Sequence, residues 1–332
     1  MTAFQENSPL APRLLADVGG TNARFAWQAA AGAPIEDQIT LPCADHVTIE
    51  AAIRAYLDRI DRPRPRACAI AIANPVHGDR VQMTNHHWSF SISALQQALG
   101  FDCLRLINDF TALALALPGL APEQLYQVGG GQALPDTAIG LLGPGTGLGV
   151  SGLVPDGRGG WLPLQGEGGH VSLAPVTQRE QIVVDHLIQR YGHASAERAI
   201  SGMGLVDIHR ALCLADGELP PEGWTAAEVS SAALSGHDSR CAESLAMMCA
   251  LLGSVAGNLA LTLGAKGGVY IGGGIVPRLG EWFVNSPFRA RFEAKGRFQS
   301  YLAGIPVWVI TASQSPALDG AARALDSRLS PA

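Results

Sequence analysis

In LLADVGGTNARFAW, residues 14–27, an apolar run ends at Asp17 and breaks on Gly19, Gly20, Thr21 and Asn22. A turn of small residues lets polyphosphate oxygens approach backbone amides, and a carboxylate beside it suits the cation they carry. Asp17 would face Mg²⁺ through water, since that ion keeps most of its hydration shell. A purely structural hairpin with an exposed aspartate accounts for the same residues. Two other phosphate-binding devices fail. A P-loop needs G-x-x-x-x-G-K-[ST], and the lysines, Lys266 and Lys295, are each followed by glycine. GLGVSG at 147–152 matches the dinucleotide fingerprint, with Glu167 near the spacing of a ribose-binding acid. That fingerprint must open a helix, whereas the residues after Gly147 read as a strand closed by Pro155, Asp156 and Gly157.

Asp109 follows the apolar run 104–108, which puts it at the carboxyl end of a strand, where open α/β sheets bind ligands. An N-cap on a helix beginning at Phe110 is the alternative use of that aspartate. In QGEGGH the glycines leave Glu167 and His170 free to converge on a ligand. Taken alone, Glu197 reads as a helix-surface charge and His170 as a satisfied polar residue. His77, His86 and His87 do not suggest a metal site, because adjacent histidines on a strand point to opposite faces. Arg24 is a charge within an apolar strand, and the sequence assigns it no contact.

These residues need a scaffold. Apolar β-rich runs at 14–16, 67–73, 103–107, 137–142, 268–271 and 306–310 alternate with helical stretches at 48–61, 91–99, 110–117, 178–191 and 239–263. The alternation predicts an α/β protein whose central strands are buried on both faces. With Thr21 laid on Thr146, DVGGTNARFA faces LGPGTGLGVS, each preceded by a strand and followed by another. A duplicated glycine hairpin predicts two related lobes, with the Pro- and Gly-rich loop 118–134 as the crossing; chance recurrence of such hairpins is the alternative.

The chain has 332 residues, 47% of them hydrophobic and 16% charged, which suits two lobes with separate cores. A net charge of -6 without basic blocks disfavours nucleic acid as a partner. The six scattered cysteines lack a C-x-x-C pair, as expected of reduced buried thiols in a cytosolic protein. Residues 1–13 lack the apolar core of a secretory signal and read as a disordered lead. Residues 244–265 have the length of a membrane span, but Ser254, Asn258 and several glycines favour a buried helix. Gly253 and Gly257 would let another backbone approach it.

Seven segments in series, DVGGTNARFAW, AIANPVHGDRVQMTNHHW, INDFTALALALP, GPGTGLGVS, QGEGGHVSLAP, AERAISGMGL and GGVYIGGGIVPR, resemble the bacterial glucokinase family of the hexokinase, Hsp70 and actin superfamily. The resemblance runs from Leu14 to about Ala321. It implies a two-lobed actin-like ATPase (ribonuclease H-like) α/β fold with an active-site cleft between the lobes, closing by hinge rotation around the sugar. The implied boundaries are 1–13 for the lead, 14–119 plus 311–332 for the small lobe and 120–310 for the large lobe. The helix after Pro316 would return to the first lobe.

The implied reaction is ATP-dependent phosphorylation of the 6-hydroxyl of glucose, with Asp109 as general base. Asn108, Glu167, His170 and Glu197 match the family's hexose ligands, as does Asn85 with Thr84 a companion. Thr146 would meet the phosphates from the second hairpin, and Gly272, Gly273 and Gly274 would open a helix beside the adenosine. ATP with Mg²⁺ is the implied cofactor. The related ROK kinases build a zinc site with a C-x-C-x-G-x-x-G-C cluster that this sequence lacks, so zinc is not expected and His170 reads as a sugar ligand. The resemblance further implies a cytoplasmic protein without membrane or nucleic-acid partners, in a family often homodimeric. Kinases of another hexose, a non-catalytic sugar-sensing regulator and an Hsp70-type binding module are the alternatives.

Overall fold

The computed structural model describes residues 10–312 and 315–326, and the chain divides into two compact units, one reaching Leu120 and resuming at Ala312, the other Ala121–Thr311. Residues 1–9 of the expected lead lie outside the described residues. Residues 10–13 are not lead, because Arg13 opens the first strand with its side chain 2% exposed and bonded to Asp326 at 2.6 Å.

The first unit contains β1 (Arg13–Val18), β2 (Asn22–Gln28), β3 (Ile35–Pro42), β4 (Ala67–Ile72), the short pair β5 (Arg80–Gln82) and β6 (Ser89–Ser91), and β7 (Cys103–Asn108). Its main sheet has the order β3-β2-β1-β4-β7. The first three strands are antiparallel neighbours; β4 and β7 join in parallel. Parallel central strands are covered on both faces, which is why ACAIAI in β4 is apolar throughout and fully buried. One face packs Leu14, Phe25, Ile70, Tyr56 and Trp88. On the other, Leu15, Ala26 and Ala69 meet Leu318, Ala321 and Leu325 of the helix Ala317–Asp326. Burying Leu318 and Leu325 contributes about 2 kcal/mol apiece. Gly320 permits the approach, since a Cβ there would collide with the Ala112 carbonyl.

The second unit contains β8 (Leu125–Gln127), β9 (Ile139–Pro144), β10 (Leu148–Pro155), β11 (Trp161–Gln165), β12 (Val269–Ile271) and β13 (Val307–Ile310). Its sheet order is β11-β10-β9-β12-β13-β8. The first five positions repeat the first unit's pattern: an antiparallel three-stranded meander, then two parallel strands. β8 departs from the loop expected at 118–134. It is three residues of edge strand, antiparallel to β13, and so short a strand leaves no alternation to read.

The helix Ser239–Leu263 is long and apolar enough to cross a membrane by length and composition, yet most of it is buried in the second unit's core. Asp238 caps its start by accepting from the amides of Arg240 and Cys241, and Gly264 ends it in the left-handed region. Gly253 and Gly257 face the carbonyls of Phe288 and Phe292, leaving no room for side chains.

Candidate active site

In the first unit, three segments meet at the carboxyl ends of β1, β4 and β7. The β1–β2 turn is closed by the Gly19 amide donating to the Asn22 carbonyl at 2.9 Å, while Cys43 N–H donates to the Thr21 carbonyl at 2.8 Å. Gly20 and Thr21 stand at the tip, half-exposed and exposed. A Cβ on Gly20 would lie 2.8 Å from the Asn85 carbonyl oxygen and 2.9 Å from its Cβ, so only glycine lets the two turns touch. Asp17 pairs in register with Arg24 across the hairpin. Its Oδ2 accepts from Arg24 Nη1 at 3.0 Å and Ser315 Oγ at 2.7 Å. Arg24 thus has the contact that the sequence leaves open.

Asp109 begins the helix Asp109–Ala116 directly after β7. The cap is Asn108, not Asp109: Asn108 Oδ1 accepts from the amides of Phe110 at 2.9 Å and Thr111 at 3.2 Å. Asn108 takes that role because its extended backbone, φ −62° and ψ 148°, aims the side chain over the first turn. Asp109 Oδ1 accepts from Phe110 N–H at 2.9 Å and Asn108 Nδ2 at 3.0 Å. Burial pushes its pKa up to about 6, helped by the nearby negative charge of Asp17 and opposed by the Phe110 hydrogen bond. A carboxylate titrating there can take a proton near neutral pH.

Thr84 and Asn85 are exposed in the turn between β5 and β6. His86 and His87 lie in that turn too, correcting their expected place on a strand. Because a bend does not alternate faces, their rings sit together, centroids 4.2 Å apart. Beneath the turn, buried Asn74 accepts from Thr84 through Oδ1, a residue whose part no sequence pattern marks.

In the second unit, the β9–β10 turn carries exposed Thr146. Gly145 N–H donates to the Gly147 carbonyl at 2.8 Å, and Gly202 N–H to the Gly145 carbonyl at 2.9 Å. Glu197, in the short helix Ala196–Ala199, accepts from Leu148 N–H through Oε2 at 2.8 Å. Glu167 precedes the turn Gly168–His170 and His170 ends it, joined by His170 N–H to the Glu167 carbonyl at 3.0 Å. Ser172 and Ser195 form an isolated bridge, and Ala196 N–H donates to the Val171 carbonyl at 2.9 Å; this pairing brings His170 and Glu197 to one end of the unit.

Gly272, Gly273 and Gly274 lead from β12 to the helix Val276–Leu279. Gly273 has φ +77° and packs on Pro144, while Gly143 abuts Gly272, so the glycine run is seated on the β9–β10 hairpin. Beside Thr146 opens a mostly apolar cavity of about 440 Å³ lined by Tyr191, Met203, Val206, Arg210 and Trp224. The sequence reading missed these lining residues. They come from three separate segments, and only the fold brings them together.

Repeated meander sheets, each with a glycine hairpin, define the two-lobed actin-like fold. The glucokinase family model matches residues 14–328. The chain is 58% identical over 320 residues to a glucokinase of Chromobacterium violaceum, covering 96% of this chain and 91% of that one. It is 52% identical over 320 residues to a bifunctional protein of Burkholderia pseudomallei, covering 96% of this chain but 49% of that relative, so it spans about half that relative's length. Among solved structures, a glucokinase from an Antarctic psychrotroph superposes with a TM-score of 0.86 at 37% identity, covering 95% of this chain and 99% of that one. The chain belongs to the glucokinase family, whose members are ATP-dependent glucose kinases.

Proposed function

We propose that the chain transfers the γ-phosphoryl group of ATP to the 6-hydroxyl of glucose with Asp109 as general base. The observation that carries this reading is a carboxylate at the end of β7, held by Asn108 and the Phe110 amide, whose pKa burial pushes up to about 6. Asp109 accepts the hydroxyl proton as the 6-oxygen attacks phosphorus and ADP departs. Positioning and charge neutralisation supply the rest, as in phosphoryl transfer generally.

Asn85, Asn108, Glu167, His170 and Glu197 are the proposed sugar contacts. Ionised carboxylates are strong acceptors for sugar hydroxyls. Gly19, Gly20, Thr21, Asn22 and Thr146 receive the phosphates, Gly272, Gly273 and Gly274 flank the adenosine, and the cavity lined by Trp224 and Met203 takes the base. For Mg²⁺ the fit is good. Asp17 offers one carboxylate whose protein bonds both fall on Oδ2, which suits an ion held mainly by phosphates and water. Bound there, the ion would neutralise phosphate charge. Among the described residues no group of three or more His, Cys, Asp or Glu side chains is arranged to hold a metal by itself. Six free thiols support a reducing, cytoplasmic setting, where glucose 6-phosphate would enter glycolysis.

ADP release from MgATP across a panel of hexoses tests the reading, with Asp109→Ala beside the wild type. Sugar-dependent turnover highest with glucose and nearly abolished in the variant is expected. Full activity in the variant would remove Asp109 from the role.

A further inference from the structure

We propose that Asn74 is a positioning residue that sets the hexose-contacting turn at Thr84 and Asn85. It lies two residues beyond β4, and its side chain is buried, with the residue 8% exposed. A buried amide needs partners, and this one fills three of its four bonding positions within its own unit. Oδ1 accepts from both Thr84 N–H at 3.0 Å and Thr84 Oγ1 at 2.7 Å. Nδ2 donates to the Pro75 carbonyl at 2.8 Å. The Asn74 carbonyl accepts from Asn108 Nδ2 at 3.5 Å, beside the base Asp109.

The Thr84 and Asn85 turn is the exposed tip of a two-stranded ribbon of three-residue strands, and its base is fixed by Met83 N–H to the Trp88 carbonyl and Trp88 Nε1–H to the His46 carbonyl. Two further contacts pin the tip. One is the contact of Gly20 with the Asn85 backbone; the other is the double bond from Thr84 to Asn74. Removing the Asn74 acceptor frees the turn and leaves Thr84 without a buried partner. Asn85 then spends less time where it meets the sugar, a loss of binding and not of chemistry.

The test is steady-state kinetics and thermal melting of Asn74→Ala, Asn74→Ser and Asn74→Asp. Alanine has no acceptor and serine's hydroxyl is too short to reach Thr84, so each should raise KM for glucose about tenfold, the worth of one to two buried hydrogen bonds. KM for ATP should stay within about twofold, and kcat within about threefold. Aspartate keeps both Thr84 bonds but sets an oxygen against the Pro75 carbonyl, so it should lower Tm while raising KM for glucose less than alanine does. A merely structural role would lower Tm and the active fraction in all three variants without moving KM. Should alanine fail to fold, serine carries the comparison. Wild-type KM in the alanine or serine variant, or an equal rise in the aspartate variant, overturns the role.

Asn85→Ala is measured alongside, because the role of Asn74 rests on Asn85 touching the sugar. If Asn85→Ala raises KM and Asn74→Ala does not, Asn74 is overturned and the sugar contact stands. If neither moves KM, the sugar contact itself is wrong and the role of Asn74 falls with it.

Discussion

Replacing Asp109 by asparagine should abolish turnover and stabilise the fold together. An ordinary aspartate titrates near 3.8, whereas burial and the charge of Asp17 raise Asp109 to about 6. The unfolded chain therefore releases this proton near 3.8 and the folded chain near 6. Between those values the folded state binds more protons, so stability is greatest below the lower value and falls as pH rises through the higher. Across a gap of about two pH units, at roughly 1.4 kcal/mol each, the cost of holding the carboxylate ionised approaches 3 kcal/mol. Asp109 is only half-buried and water screens it, so about 1–2 kcal/mol is the recoverable part. Asparagine is nearly isosteric and keeps Oδ1 as the acceptor for Phe110 and Asn108. Urea unfolding at pH 4 and pH 8, with turnover measured at pH 8, is the assay. The variant should be more stable by that amount at pH 8 and nearly equal to wild type at pH 4, with turnover lower by about 10²–10⁴-fold. A stability difference that is the same at both pH values would refute the buried-base reasoning. So would an inactive variant with no gain at pH 8.

Gly20→Ala should lower Tm and cut kcat/KM by about tenfold or more, because its Cβ meets the Asn85 backbone at 2.8 Å. Gly19→Ala, with its nearest atom at 3.6 Å, should leave Tm unchanged, and thermal melting of the pair separates steric from general effects. Glu197→Ala should raise KM for both ATP and glucose about tenfold, since it removes the acceptor of Leu148 N–H in the proposed phosphate hairpin as well as a proposed sugar ligand. A rise for glucose alone would show that this bond does not hold the hairpin. Trp224→Ala should raise KM for ATP about tenfold and leave KM for glucose unchanged, measured under saturation with the other substrate.

The sheets were legible because apolar runs such as ACAIAI mark strands buried on both faces, and the duplicated glycine hairpins announce the repeated meander. Asp109 could be put at a strand end by counting along one segment. What stayed hidden depends on register and on partners far along the chain. Arg24 meets Asp17 because β1 and β2 pair with a particular offset, and Glu197 meets Leu148 across 49 residues. Asn74 was passed over because one asparagine before proline reads as an ordinary turn residue. Its ten-residue reach to Thr84 has no periodicity to betray it.

The proposed ligands differ in how much bonding capacity they have left, and this ranks them. An asparagine side chain offers two acceptor lone pairs and two donor hydrogens. Asn108 uses all four: Oδ1 for the amides of Phe110 and Thr111, Nδ2 for Asp109 and for the Asn74 carbonyl. To bond a sugar hydroxyl it must release one of these, and the 3.5 Å bond to Asn74 is the longest of them. A carboxylate has about four acceptor sites, so Glu197 keeps capacity for a hydroxyl while still accepting from Leu148. Asn108 therefore holds Asp109 and its helix in place, and the proposed sugar contact there would come by exchange with Asn74, whereas at Glu197 it would come by addition.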